Sequence, residues 1–270
     1  LPQDVFETRA GITGKVEAEA LDAARTLKEL KTNLDKSYKK VETIMSGDGN
    51  TKLTRAETNN ELYAYLTGET ALETLPVVLQ APAAKMRKQV DDLSNKVLNS
   101  NFLNQADAED LVEQIKGNIG SYLRRKYKLF EDGGWKNTEE FAQAKEGVIQ
   151  LFENSPKTYR TFYERVYTKG DDIPAVPGIE NFRGVGASEK TLRESAEQLT
   201  EDFIEIAGNR KKNKNPMKGA NRTAVNKIKT DMFKARSVQN PAIRRMLGEI
   251  KDPQEAFIST VGDLAEFSAV

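Results

Sequence analysis

From Val16 onward, apolar residues fall at Ala20, Ala23, Leu27, Leu30, Leu34, Tyr38, Val41 and Met45, in steps of three and four with one irregularity near Ser37. That spacing keeps them on one face, so it predicts a long N-terminal amphipathic helix. Gly47-Asp48-Gly49-Asn50 ends it, and Thr54 opens a shorter helix carrying Leu62, Tyr63 and Leu66 up to Gly68. Pro76 and Pro82 bracket an apolar connector, beyond which Met86, Val90, Leu93 and Val97 mark another helix face. Behind a cap at Asp107 the helical period continues through Leu111, Ile115, Ile119, Tyr122, Leu123, Tyr127 and Phe130 until Gly133-Gly134 breaks it.

The second half repeats the style. Thr138 caps a helix through Phe141, Val148 and Phe152, and Pro156 starts an aromatic-rich one with Tyr159, Phe162, Tyr163 and Tyr167. Ser188 begins a helix with Leu192, Leu199, Phe203 and Ile206, and Asn240-Pro241 and Asp252-Pro253 start the last two. Between Gly208 and Gly219 lies a break, followed by helical spacing at Val225, Ile228 and Met232. No period-two strand pattern of useful length and no internal repeat occurs. The expected fold is therefore all-α, an elongated multi-helix assembly without significant β-sheet. Pro174, Pro177, Gly178, Gly184 and Gly186 make 169–187 the expected linker between an N-terminal helical region, 1–168, and a C-terminal one, 188–270, with a basic loop at 208–222.

Composition removes much chemistry. The chain has 270 residues, 38% hydrophobic and 30% charged, with a mean hydropathy of −0.63, which describes a polar helical surface around a core. No cysteine and no histidine occurs. Disulfides, thiolate catalysis, zinc–thiolate sites and the commonest neutral-pH base are excluded. No apolar run approaches the roughly 20 residues of a membrane span, and no leader pattern opens the chain. Leu1 in place of an initiator methionine reads as the start of a piece of something longer.

Lys+Arg and Asp+Glu balance at 41 each, so only local asymmetry can select a partner. Residues 208–236 carry Arg210, Lys211, Lys212, Lys214, Lys218, Arg222, Lys227, Lys229, Lys234 and Arg236 against Asp231 alone, a net of +9. Clustered cations on Asn- and Gly-rich backbone suit phosphate contact, which makes Arg210, Lys211, Lys212, Lys214, Lys218 and Arg222 the candidate nucleic-acid-binding residues. The alternative is a solvated loop against an acidic neighbour, since no interleaved aromatics offer stacking.

Other chemistries fail on spacing. Asp48-Gly49-Asn50 opens like a calcium loop, but Leu53 and Asn59 stand where that loop needs Gly and a bidentate Glu, so it reads as a turn. The glycines of 178–186 neither follow a strand nor precede a Lys-Ser/Thr pair. Asp91-Asp92 reads as a solvated helix face, Glu139-Glu140 as a helix start favoured by the dipole, and Asp171-Asp172 as loop. No catalytic residue, metal ligand or cofactor site is assigned, and no small-molecule substrate is expected.

Residues 118–132 mix glycine, aromatics and cations. Glycine costs about 1 kcal/mol in a helix interior, so Gly117 and Gly120, three apart, are expected to admit a closely packed neighbouring helix. Ile119, Tyr122, Leu123, Tyr127 and Phe130 are expected to pack inward, Arg124, Arg125 and Lys128 to face water, and Trp135, the sole tryptophan, to anchor the helix end.

The stretch Leu75-Pro76 … Met86-Arg87-Lys88-Gln89-Val90-Asp91-Asp92-Leu93-Ser94 … Ile115-Lys116-Gly117-Asn118-Ile119-Gly120-Ser121-Tyr122-Leu123 … Tyr127-Lys128-Leu129-Phe130 resembles a helical region of the large polyvalent proteins of phages. Ile243-Arg244-Arg245-Met246-Leu247-Gly248-Glu249-Ile250-Lys251-Asp252-Pro253, with Thr260-Val261 and Leu264-Ala265, is similar to the segment that follows in the same proteins. In podoviruses of the T7-like type from marine hosts, that region belongs to the giant internal core or ejection protein. Lys126 departs from the small residue often found there. The resemblance spans roughly residues 70–265.

What it implies is a non-catalytic structural segment held in the virion interior. Its implied partners are further copies of itself and other core and portal proteins, with host-envelope contact only after ejection and DNA contact through the basic loop. A second class of function, an accessory nucleic-acid-binding domain of a virion-packaged enzyme such as an RNA polymerase, rests on the same loop. An enzyme active within these residues is the weakest option, because no activated nucleophile or metal cage is encoded.

Overall fold

A computed structural model describes residues 3–99, 109–155, 157–159, 162, 189–209 and 240–269. The described chain is all-α apart from two short antiparallel strand pairs. It divides into two compact units, one formed by Leu1–Arg125 with Lys251–Val270 and the other by Lys126–Ile250. The boundary falls inside the expected N-terminal region, just past the 120–125 segment. The expected linker at 169–187, Tyr163, Tyr167, and the basic residues Arg210, Lys211, Lys212, Lys214, Lys218 and Arg222 lie outside the described residues.

Unit 1 is built on two long helices, α1 (Gln3–Ser37) and α3 (Val77–Leu98), with α9 (Pro253–Ser268) against both. α1 ends at Ser37, earlier than its apolar pattern predicts. β-branched Val41, Thr43 and Ile44 favour extended backbone, and Thr43–Met45 (β1) pairs with Lys52–Thr54 (β2), setting Ile44 opposite Leu53. The irregularity near Ser37 marks this switch. Asp48 is indeed a turn residue, accepting from the Ser46 hydroxyl and the Asn50 amide. At Gly47 the backbone presses so closely on the next segment that a Cβ would lie 2.0 Å from the Glu73 carbonyl oxygen. Thr54 starts α2 (Arg55–Leu66) with a full capping box shared with Glu57.

Pro82 lies inside α3 and is buried, not in a connector as the sequence predicts. A proline there leaves the carbonyl four residues back without its helical donor. The Asn33 side-chain amide of α1 supplies it, donating to the Val78 oxygen at 3.0 Å. Leu30, Leu34, Leu62, Leu66, Leu79, Met86 and Leu93 are buried in a mainly aliphatic core, to which α9 adds Phe257, Val261 and Leu264. α4 (Glu109–Lys116) completes the unit.

The predicted helix through 107–130 is interrupted. α4 stops at Lys116; turns follow to Ser121, residues 122–125 carry no regular structure, and Lys126–Tyr127 is a strand. Gly120 turns the chain away beyond the helix end, with φ of +84°, a left-handed value that glycine adopts without steric cost.

Unit 2 places α6 (Glu139–Asn154) between α7 (Glu189–Asn209) and α8 (Pro241–Leu247). Its ends pair, β3 (Lys126–Tyr127) running antiparallel to β4 (Glu249–Ile250). A short α5 (Lys128–Glu131) and a 3₁₀ turn at Trp135–Asn137 lead into α6, which Thr138 caps through the Phe141 amide. The core is rich in rings: Phe141, Phe152, Tyr159 and Phe162 are buried with Trp135 and Tyr127 among aliphatic side chains such as Val148, Leu199 and Ile243, and Phe152 meets the Tyr159 ring edge-on at 6.0 Å.

Candidate functional site

The chemically distinctive side chains of unit 1 gather around Arg87. This residue shares the buried face of α3 with Ala83, Met86, Val90 and Ser94. Its guanidinium donates to the Leu66 carbonyl at 2.6 Å and to the Tyr122 carbonyl at 2.8 Å. Leu66 ends α2, where backbone carbonyls lack intrahelical partners, so the cation caps one helix from the side of another. Asp91, one turn along, pairs with Arg87 at 3.1 Å and also accepts the Gly120 amide at 2.9 Å. Burial lowers the Arg87 pKa, opposed by the Asp91 charge, and burial pushes the Tyr65 phenol up. Asp91 is therefore a structural acceptor, not the solvated residue the sequence predicts; Asp92 is the exposed one.

Downstream of Gly120 the 122–125 segment is fixed mostly by side chains. The Arg124 amide donates to the Thr260 hydroxyl at 2.8 Å, its guanidinium reaches both Asp263 oxygens at 2.8 and 3.0 Å, and Arg125 pairs with Glu69 at 2.9 Å. Tyr122 and Leu123 are buried as expected, but Ile119 is exposed. The close approach assigned to Gly117 and Gly120 is found elsewhere. Gly117 is exposed, and a Cβ on Gly120 would meet nothing within 4 Å. At Gly68, by contrast, φ is +74° and a Cβ would lie 2.7 Å from that of Ser121.

In unit 2 the centre is Trp135. Its indole N–H donates to the Met246 carbonyl at 2.9 Å, and the Lys128 ammonium sits 4.5 Å from the ring centroid. Gly248, with φ of +70°, ends α8 against the same ring, where a Cβ would fall 2.7 Å from Trp135 Cε2. The tryptophan does anchor a helix end, but that of α8. Tyr127 and Phe130 meet edge-on at 6.0 Å, Tyr127 buried and Phe130 partly so. Arg244 and Glu249 form a pair at 3.5 Å with only 11% and 5% of their side chains exposed.

An open groove of about 630 Å³ runs between α6 and α7, lined by Ala142, Lys145, Glu146, Ile149, Glu194, Glu197, Gln198 and Glu201. Arg193 beside it bonds Glu146 at 2.9 Å and Glu197 at 3.0 Å, and Lys145 pairs with Glu201. The Arg193 hydrogen bond lowers the Glu146 pKa. These groups are half-exposed, so each pair contributes little to stability.

The sequence assigns no role to Arg193 or to the side chain of Arg87, and places Asp91 on a solvated face. Arg87 was signalled: it occupies a position four after Ala83 and three before Val90, on the apolar stripe itself. Among the described residues no group of three or more Asp, Glu, His or Cys side chains could hold a metal ion, and no helix is long and apolar enough to cross a membrane. No protein-family model, curated protein or solved structure matches the chain.

Proposed function

We propose that this chain is a non-catalytic structural and interaction segment of a phage internal virion protein, one that assembles inside the capsid and assists genome delivery across the host envelope. The observation that carries the reading is the meeting of the two stretches resembling such proteins, 115–130 and 243–253, at the β3–β4 pair. Their aromatics and cations are engaged in packing and in holding backbone: Tyr127 is buried, Arg124 and Arg125 hold carboxylates, and Gly248 seats the Trp135 ring. Such use suits a scaffold whose partners are further copies of itself and other core or portal proteins.

The net of +9 over residues 208–236 favours a second reading, an accessory nucleic-acid-binding domain of a virion-packaged enzyme. One pair of measurements separates the two. Sedimentation across a salt series tests self-association, which the structural reading expects to persist at high salt. Retention of double-stranded DNA across the same series tests the other. Affinity that falls steeply with salt and disappears in Lys211→Gln/Lys212→Gln/Lys214→Gln, from a chain that stays monomeric, would overturn the structural reading.

A further inference from the structure

The chain leaves unit 1 after Arg125 and re-enters it at Lys251. Residues 126–250 close on themselves at both ends: Lys126 lies opposite Ile250, Tyr127 opposite Glu249, and the Lys128 amide donates to the Gly248 carbonyl at 2.9 Å. Paired antiparallel strands hold their Cα atoms about 5 Å apart, so the two ends of unit 2 are neighbours. Just inside this clasp the Trp135 ring rests on Gly248 and bonds Met246, joining the entry of the unit to its exit.

The cores are separate in sequence. Among the described residues, every member of the buried cluster around Phe152 comes from residues 127–247, whereas α9, which follows the re-entry point, packs on α1 and α3. Unit 1 thus draws its core from both sides of the insertion, and unit 2 draws its own from within. We infer that unit 2 is a self-closed insert that unfolds and refolds while unit 1 stays folded, with the β3–β4 pair and the Trp135–Gly248 contact as its clasp. Opening unit 2 turns a short bridge in unit 1 into a long loop, and loop-closure entropy grows only with the logarithm of length. Unit 1 therefore survives the opening. Local and sub-global unfolding of this kind is a general property of folded chains.

The full chain carries its own reporter, because Trp135 is the only tryptophan and lies in unit 2. Urea titrations followed by tryptophan fluorescence report unit 2, and hydrogen exchange of peptides from α1 and α3 reports unit 1 in the same samples. Two variants weaken unit 2: Gly248→Val, which forces a side chain against the indole, and Ile243→Ala, which empties a fully buried site. For each, the fluorescence midpoint moves to lower urea while α1 and α3 keep wild-type protection. Leu93→Ala, in the unit 1 core, produces the converse. If Gly248→Val abolishes the folded fluorescence even without urea, native protection in α1 and α3 still carries the inference. Coincident shifts of both readouts in any of these variants would overturn it, since the chain would then be one cooperative body.

Discussion

The core of unit 2 carries a larger share of rings than that of unit 1, and the contrast bears on how each is held. Unit 1 packs mainly aliphatic side chains along long helices and places a cation, Arg87, at the point where three backbone segments meet. Unit 2 packs rings against rings among its aliphatic side chains, with the indole of Trp135 supplying a directional bond. Aliphatic helix faces are tolerant in register, so unit 1 uses charged groups to fix position. Aromatic edges are directional already, so unit 2 adds shape to its own charged contacts, the buried Arg244–Glu249 pair among them.

The largest effect that would break this contrast belongs to unit 2. Trp135→Ala removes the ring that Gly248, Lys128 and Phe141 rest on, and should lower stability by about 4 kcal/mol in denaturant unfolding followed by circular dichroism. Exchange in α6 should rise with it, and exchange in α1 should not. Arg87→Met is the counterpart in unit 1. It fills similar volume but leaves the Leu66 and Tyr122 carbonyls without their donor and Asp91 without its cation, for an expected loss of about 3 kcal/mol. A near-neutral result would mean that water replaces the guanidinium, and the buried cation would then not fix the meeting of the three segments.

A finer probe is Asn33→Ala. It removes the donor that satisfies the carbonyl stranded by Pro82, and about 1 kcal/mol should be lost from unit 1. Restoring the helical donor with Pro82→Ala in the same chain should make the Asn33 change close to silent, which a double-mutant cycle measures.

Acidification has the smallest effect and touches both units. Asp48 and Glu57 in unit 1 have lowered pKa values, chiefly through bonds from Ser46 and from the Thr54 amide, and Glu146 in unit 2 through Arg193. A carboxylate held lower in the folded state contributes stability above its unfolded pKa and loses it as pH falls through the folded one. Both units should therefore weaken on titration through and below the ordinary carboxylate range, and show no such loss near neutrality. A chain that gained stability there would contradict these pairings.

How far the sequence could be read depended on whether one period was enough. α3 was legible because Met86, Val90, Leu93 and Val97 follow helical spacing and are all buried. The caps at Thr54, Thr138, Asn240 and Asp252 were legible because short polar side chains before a helix have one common use. The 117–130 region was not. Tyr122, Leu123 and Tyr127 fit a helical face by count, yet the structure buries them from non-helical backbone, because a single left-handed glycine redirects the chain. The β1–β2 hairpin was hidden likewise, since Val41 and Met45 continue the spacing of α1 by coincidence. The stripe signals the burial of Arg87, but its acceptors are two remote carbonyls, which no spacing rule supplies.

That guanidinium also acts as a gauge of alignment. Sliding α3 by one turn would carry Arg87 about 5.4 Å from both carbonyls, leaving a desolvated charge with Asp91 of its own helix but neither backbone acceptor, whereas the aliphatic stripe around it would meet similar neighbours after the same slip. A greasy helix face permits several alignments. One buried cation with two fixed acceptors permits a single one, so Arg87 rejects frameshifted packings of α3 that hydrophobicity alone would accept.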